Sequence, residues 1–269
     1  MREQASETCA STSSATSACE LALDNIPFVV SKFKANFVMI NLMKETLAER
    51  LADVNKQIRI AAEKAGRKAD EITLIAVSKT HPVSTIIEAI EAGATVFGEN
   101  KVQEAEGKIA EIENVEWHLI GHLQSNKARK AVKLFDIIQT VDSLELTSRL
   151  ERICNEEGRA ELKIFVQVDL AGEETKNGIK EEDLPKLLEF VKNCKCLRVI
   201  GLMQIPPYFE EVEKVRPFFK RLREIRDKLL PDGKLSMGMS HDFTVAIEEG
   251  ATHVRVGTAI FGERNYFKQ

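Results

Sequence analysis

Eight short apolar runs recur along this chain, and each is followed by a stretch with helical periodicity. Ile72 to Val77 leads into a helix ending at Ala92, and Thr95 to Phe97 into one around Val102 to Ile112. Trp117 to Ile120 precedes a helix from Ser125 to Val132, and Ile137 to Thr140 one from Leu144 to Glu156. Lys163 to Val168 is followed by Glu181 to Val191, and Leu197 to Leu202 by a long helix from Glu210 to Leu229. Leu235 to Met237 precedes Phe243 to Glu249, and His253 to Val256 precedes a short helix after Gly257. Strands alternating with helices call for parallel pairing, because a parallel crossover needs a connection of helix length. Eight such units in about 200 residues suit a closed (β/α)8 TIM barrel at the small end of its range, ahead of two doubly wound halves. An amphipathic helix precedes them, with Leu47, Leu51, Val54, Ile58 and Ala61 at three- and four-residue steps from Met43 to Lys64, stopped by Gly66. Its place before the first strand predicts that it covers the bottom of the barrel.

The 269 residues allow one large α/β domain, read here as residues 43–269. Basic and acidic residues number 38 and 42, spread along the sequence, for a net charge of −4. That balance carries no footprint for nucleic acid or anionic membrane and favours a small-molecule ligand. No apolar run approaches the roughly 18 residues of a membrane span, so the chain reads as soluble and cytoplasmic. Cys9, Cys19, Cys154, Cys194 and Cys196 are odd in number and lack Cys-x-x-Cys spacing, which reads as reduced thiols and not as a metal site. Residues 1–42 are rich in Ser, Thr and Ala without periodicity. They are expected to be a disordered extension, or to lie upstream of a natural start at Met39 or Met43.

Function in such barrels collects at the carboxyl ends of the strands. Lys79 follows the first strand, just ahead of Pro82, which is suited to starting a helix. Alone it reads equally well as a solvated strand end. Gly98-Glu99-Asn100 follows the second strand, Gly121-His122 the third, Asp142-Ser143 the fourth and Asp169 the fifth. The last two ends are the richest, Ser236-Met237-Gly238-Met239-Ser240 and Arg255-Val256-Gly257-Thr258. A hydroxyl-bearing turn beside a Gly-Thr supplies what a phosphate group needs: outward N–H groups, room for close approach and extra donors. The competing reading makes Gly238 and Gly257 tight-turn residues only. Arg255 shares a strand face with His253 and Gly257, and either pairs with a carboxylate or meets a heteroaromatic nitrogen. A lysine with a phosphate site points to pyridoxal 5'-phosphate (PLP) held as a Schiff base on Lys79. Imine formation needs the neutral amine, whereas a free lysine titrates near about 10.4, so desolvation or a nearby cation has to favour deprotonation. A cofactor-free Schiff-base aldolase is the rival use of the same lysine.

Six blocks carry a family likeness: Ala76-Val77-Ser78-Lys79-Thr80, Phe97-Gly98-Glu99-Asn100, Trp117 through Lys127, Gly201-Leu202-Met203, Ser236 through Ser240 and Val254 through Gly262. In this order they resemble the YggS/PROSC family of pyridoxal phosphate homeostasis proteins, from about Met43 to the C-terminus. The resemblance implies a barrel of the alanine racemase N-terminal type, fold-type III among PLP proteins, with a role in vitamin B6 balance and no established catalysis. It implies Lys79 as the Schiff-base lysine, Ser240, Gly257 and Thr258 around the phosphate, and Arg255 at the pyridine nitrogen. Asn100 is expected near the ring, and Met239 among the cofactor-binding residues. Lys101 departs from the Tyr that many members carry.

The expected partners are PLP, amino acids and apo-PLP enzymes, and the expected assembly is a monomer or weak homodimer. A PLP-dependent amino-acid racemase is the alternative. Two features speak for a non-catalytic holder: an arginine at the ring nitrogen weakens the electron sink, and the sequence ends soon after the barrel, where racemases of this type continue into a β-rich domain.

Overall fold

The eight runs form eight parallel strands: β1 (Thr73–Val77), β2 (Val96–Glu99), β3 (Glu116–Leu119), β4 (Ile137–Val141), β5 (Leu162–Asp169), β6 (Leu197–Met203), β7 (Lys234–Met239) and β8 (His253–Val256). Each pairs with the next, and β8 returns to β1 in the register Thr73 with His253 through Ala76 with Val256, which closes the barrel. The computed structural model describes residues 45–172 and 177–263. The expectations for residues 1–42, and for a helix start at Met43, lie outside the described residues. A two-residue strand, Ile179–Lys180, pairs beside Val168 and Asp169, and no apolar run announced it.

The connecting helices are α2 (Val83–Glu91), α3 (Val102–Ile109), α4 (Ala128–Leu134), α5 (Leu144–Glu156), α6 (Leu184–Lys192), α7 (Arg216–Leu229), α8 (Phe243–Glu248) and α9 (Thr258–Phe261). α7 begins at Arg216 and not at Glu210. A 3-10 turn, Val212–Val215, precedes it, and Pro217 fits only in the first turn of an α-helix because it has no N–H to donate. Among the described residues no helix is long and apolar enough to cross a membrane.

The first helix, α1 (Leu47–Lys64), corrects one expectation, because it does not cover the bottom of the barrel. Near its start Arg50 Nε donates to the Ile260 carbonyl at 2.7 Å, just past the carboxyl end of β8. Beyond its other end, Arg67 donates to the carbonyls of Ile247 and Ala251, just before β8 begins. α1 therefore runs down the wall, packed against α2, α8 and α9. The cause lies in α9, whose 4 residues are too few to shield the outer faces of β8 and β1. α1 takes that place in the helix ring, burying Leu47, Leu51, Val54, Ile58, Ala61 and Ala62. Each large aliphatic on this stripe is worth about 1.5–3 kcal/mol on burial. Gly66, at φ +68°, ends the helix with a Schellman pair, Arg67 N–H to Ala62 O at 2.8 Å and Gly66 N–H to Glu63 O at 3.0 Å.

The barrel interior is only partly apolar. Ile137, Phe165 and Met203 form one small cluster, while His118, Gln139, Ser236, His253 and Arg255 are buried polar residues. Contacts between non-adjacent strands place several of these inside: Ser236 meets Gln139, and the His253 ring lies 5.1 Å from that of Phe165. Cys154, Cys194 and Cys196 are free thiols, and burial pushes those of Cys154 and Cys194 up to about 11, which makes them unreactive at neutral pH.

Candidate functional site

Pairing continues one residue past β1, where Ser78 N–H donates to the Gly98 carbonyl at 3.1 Å. The Ser78 side chain turns outward and its hydroxyl donates to Glu99 Oε1 at 2.7 Å. Lys79, the next residue, opens the turn past the carboxyl end of β1 and is half-buried. Thr80 follows at φ +68°, a left-handed conformation uncommon for a β-branched residue.

Two groups from α3 hold this turn. Lys108 Nζ donates to the Ser78 carbonyl at 2.8 Å, to Glu99 Oε1 at 2.7 Å and to Glu104 Oε1 at 2.7 Å. Glu104 in turn accepts from Thr80 N–H. The residues on both sides of Lys79 are thus tied to one buried cation. Burial raises the pKa of Glu99, with the bonds from Lys108 and Ser78 acting against it, and Glu99 Oε2 has no partner. The sequence reading did not single out Lys108. Its signal was position: with Val102 and Ala105 it lies on the buried side of α3, where an apolar residue is the ordinary choice.

The phosphate-type loops meet Lys79 through strand register. Ile75 pairs with Arg255 and Ala76 with Val256, which sets Val77 beside Gly257, and the Met239–Arg255 pairing brings in Ser240. Ser240 Oγ accepts from Gly257 N–H at 3.1 Å and from Ala259 N–H at 3.5 Å. Met239, the exposed last residue of β7, donates N–H to Asp242 Oδ1 at 2.6 Å while its carbonyl accepts from Asp242 N–H at 3.0 Å, closing the turn that presents Ser240. Thr258 is exposed and opens α9. The His81 ring stacks on Phe261 of α9 at 4.8 Å, which ties the Lys79 turn to the same loop.

The two glycines separate. Gly238 sits at φ +93°, and a Cβ there would lie 2.6 Å from Ala246 Cβ and 2.9 Å from Phe243 Cα, so the turn and the packing of α8 require glycine. Gly257 has a negative φ, and a Cβ would meet Val77 Cβ at an ordinary 3.4 Å. The tight-turn reading accounts for Gly238 and does not account for Gly257.

Arg255 is 4 % exposed. Nη1 donates to Ser236 Oγ at 2.7 Å and Nη2 to the Gln204 carbonyl at 2.9 Å. No carboxylate among the described residues forms an ion pair with it, so the salt-bridge reading fails. Burial pushes its pKa down to about 10 against the pull of Asp242, and it remains a cation at neutral pH. On the other side of Lys79, Asn100 is half-buried at the end of β2. Gly121 fixes it by close approach, since a Cβ on Gly121 would lie 2.3 Å from the Asn100 carbonyl oxygen. A cleft of about 660 Å³ opens here among Asn100, Lys101, Gly121, His122 and Lys127. The ends of β4 and β5 serve local structure: Ser143 caps α5, and Asp169 Oδ1 accepts from Ala171 and Gly172 N–H.

The eightfold closure, with a lysine at the end of β1 and an amide cradle between β7 and β8, defines a barrel of the alanine racemase N-terminal class. Residues 50–265 match the family model described as alanine racemase, N-terminal domain. The pyridoxal phosphate homeostasis protein of Aquifex aeolicus is 43 % identical over 227 residues, covering 81 % of this chain and 98 % of that one. Its counterpart in Pseudomonas aeruginosa is 46 % identical over 224 residues, covering 82 % and 97 %. Among solved structures, PipY of Synechococcus elongatus with PLP bound is 41 % identical, with a TM-score of 0.70 over 81 % of this chain and 100 % of PipY. The chain belongs to the pyridoxal phosphate homeostasis protein family, within the alanine racemase N-terminal domain family, as the six sequence blocks lead one to expect.

Proposed function

We propose that this protein binds PLP and serves PLP homeostasis by holding the cofactor on Lys79 without turning over a substrate. The observation that carries the reading is the register across β1, β8 and β7, which gathers Lys79, the Ser240–Gly257 cradle and Arg255 at one side of the mouth. PipY, 41 % identical, is described with PLP bound.

The residues fit the group. Two N–H groups already converge on an oxygen, Ser240 Oγ, and Gly257 has room that its own packing does not require. Bound PLP supplies an aldehyde that condenses with an amine and a ring that withdraws electrons. Lys79 Nζ is the amine. Ser240, Gly257 and Thr258 take the phosphate, with the Ala259 N–H beside them. Arg255 donates to the ring nitrogen, and a guanidinium has no lone pair to offer as an acceptor, so it favours the unprotonated ring. That weakens the electron sink, which suits holding better than carbanion chemistry. Asn100 would lie near the ring, and Met239 would complete the cofactor-binding set. The same reading makes amino acids and apo-PLP enzymes the partners to which the cofactor passes, in a cytoplasmic setting.

Purified protein should show a visible absorption band that survives desalting. Borohydride reduction followed by peptide mapping should place the pyridoxyl group on Lys79, and Lys79→Ala should lose the band. A pyridoxyl group on another lysine overturns the assignment. Stoichiometric conversion of L-alanine to the D-form overturns the non-catalytic part and favours a racemase.

A further inference from the structure

We propose that His118, Gln139 and Ser236 are positioning residues that fix the Arg255 guanidinium through a hydrogen-bonded chain crossing the barrel to Glu116. The inference rests on the reading that Arg255 faces the PLP ring, and it adds what aims that side chain. Glu116 Oε1 lies 2.6 Å from His118 Nε2, and His118 Nδ1 lies 2.7 Å from Gln139 Nε2. Gln139 Oε1 accepts from Ser236 Oγ at 2.6 Å, and Ser236 Oγ accepts from Arg255 Nη1 at 2.7 Å. The five residues come from β3, β4, β7 and β8. His118, Gln139 and Ser236 are fully buried, while Glu116, at the amino end of β3, has a side chain 41 % exposed.

Each link sets the next. An ionised carboxylate can only accept, so Glu116 places the imidazole hydrogen on Nε2 of His118. The hydrogen bond from His118 is also the largest cause holding the Glu116 carboxyl below its usual pKa, with Lys163 and Lys234 adding to it. His118 Nδ1 is then an acceptor, which fixes the Gln139 amide with Nε2 toward His118 and Oε1 toward Ser236. With its hydrogen given to Gln139, the Ser236 hydroxyl turns its lone pairs to Arg255. Tautomer and amide are two-way choices and the hydroxyl rotor a three-way one, and the chain resolves them in one direction. Arg255 depends on this because no carboxylate among the described residues hydrogen-bonds to it, Asp242 acting only at longer range: its acceptors there are the Gln204 carbonyl, fixed by the backbone, and the Ser236 hydroxyl, fixed by the chain.

Two variants test the proposal, Gln139→Leu in the middle of the chain and Glu116→Ala at its exposed end, where folding is not at stake. In protein without PLP, NMR should show the Arg255 guanidinium protons, assigned by their loss in Arg255→Lys, exchanging slowly with solvent. Both variants should accelerate that exchange, by about tenfold for Gln139→Leu, matching the roughly 1.4 kcal/mol of one buried hydrogen bond. In Glu116→Ala the His118 nitrogen shifts should move from a single tautomer to a mixture. With PLP, both variants should weaken binding and displace the absorption maximum. Wild-type exchange and spectra in both variants, even with a lowered melting temperature, overturn the chain as a positioning device. Absence of a PLP band in the wild type sinks the reading of the site, while the NMR arm still decides the chain.

Discussion

Lys108 Nζ stands 2.8 Å from the carbonyl oxygen of Ser78, so a buried cation sits directly behind the residue that precedes Lys79. Its other two bonds go to Glu99 and Glu104, and Glu104 holds the N–H of Thr80. One side chain thereby fixes the backbone on both flanks of the lysine.

Lys108→Met should cost about 3 kcal/mol, because removing one partner of a buried ion pair strands the other. The stranded group is Glu99, whose pKa burial already raises above its unfolded value of 4.5. A raised folded pKa gives stability that is fully present below the unfolded pKa and lost as pH rises through the folded one. The variant should therefore be least impaired near pH 4.5 and most impaired above neutrality, read from urea midpoints at pH 5 and pH 8. Adding Glu99→Gln should flatten that dependence. An equal loss at both pH values would count against a stranded carboxyl.

Gly257→Ala and Gly238→Ala should part company. At Gly257 a methyl group meets only ordinary contact, so stability should stay within about 0.5 kcal/mol while PLP affinity falls at least about tenfold. At Gly238 the positive φ and the 2.6 Å approach to Ala246 should cost about 2–3 kcal/mol. Denaturation curves and PLP titrations on the two variants make the comparison. Unchanged PLP binding in Gly257→Ala removes the case for a phosphate at that loop.

Thr80→Gly should stabilise the protein by about 0.5–1 kcal/mol. The left-handed conformation costs an L-residue about 1–2 kcal/mol, part of which the extra chain entropy of glycine offsets. The bond from the residue 80 N–H to Glu104 survives the change, so PLP binding should stay within about twofold. Urea unfolding checks the first point and titration the second.

The alternation of strands and helices was legible because periods of 2 and 3.6 are written in the residues themselves; α5 and β8 fall where the apolar pattern puts them. Barrel closure then makes strand ends neighbours, which is why Lys79, Ser240, Arg255, Gly257 and Thr258 could be grouped from one dimension. The place of α1 was not legible, since it depends on how short α9 turns out to be. Nor was the chain from Glu116 to Arg255, because contacts between β4 and β7 exist only once the sheet has closed. Gln139 still left a trace, an amide among Ile137, Ile138 and Val141 in a fully buried strand.

Ser240 Oγ occupies the point between the amides of Gly257 and Ala259. On the proposed function, an arriving phosphate would take these donors over from a hydroxyl, and a departing one would hand them back. The loop has satisfied hydrogen bonds at both ends of that exchange, so neither arrival nor departure requires it to melt. What the ligand gains is the difference between two bonded arrangements and not the full worth of one. On the proposed function, such a grip on a phosphate would be moderate by construction, and a covalent bond to Lys79 would carry most of the hold on the cofactor.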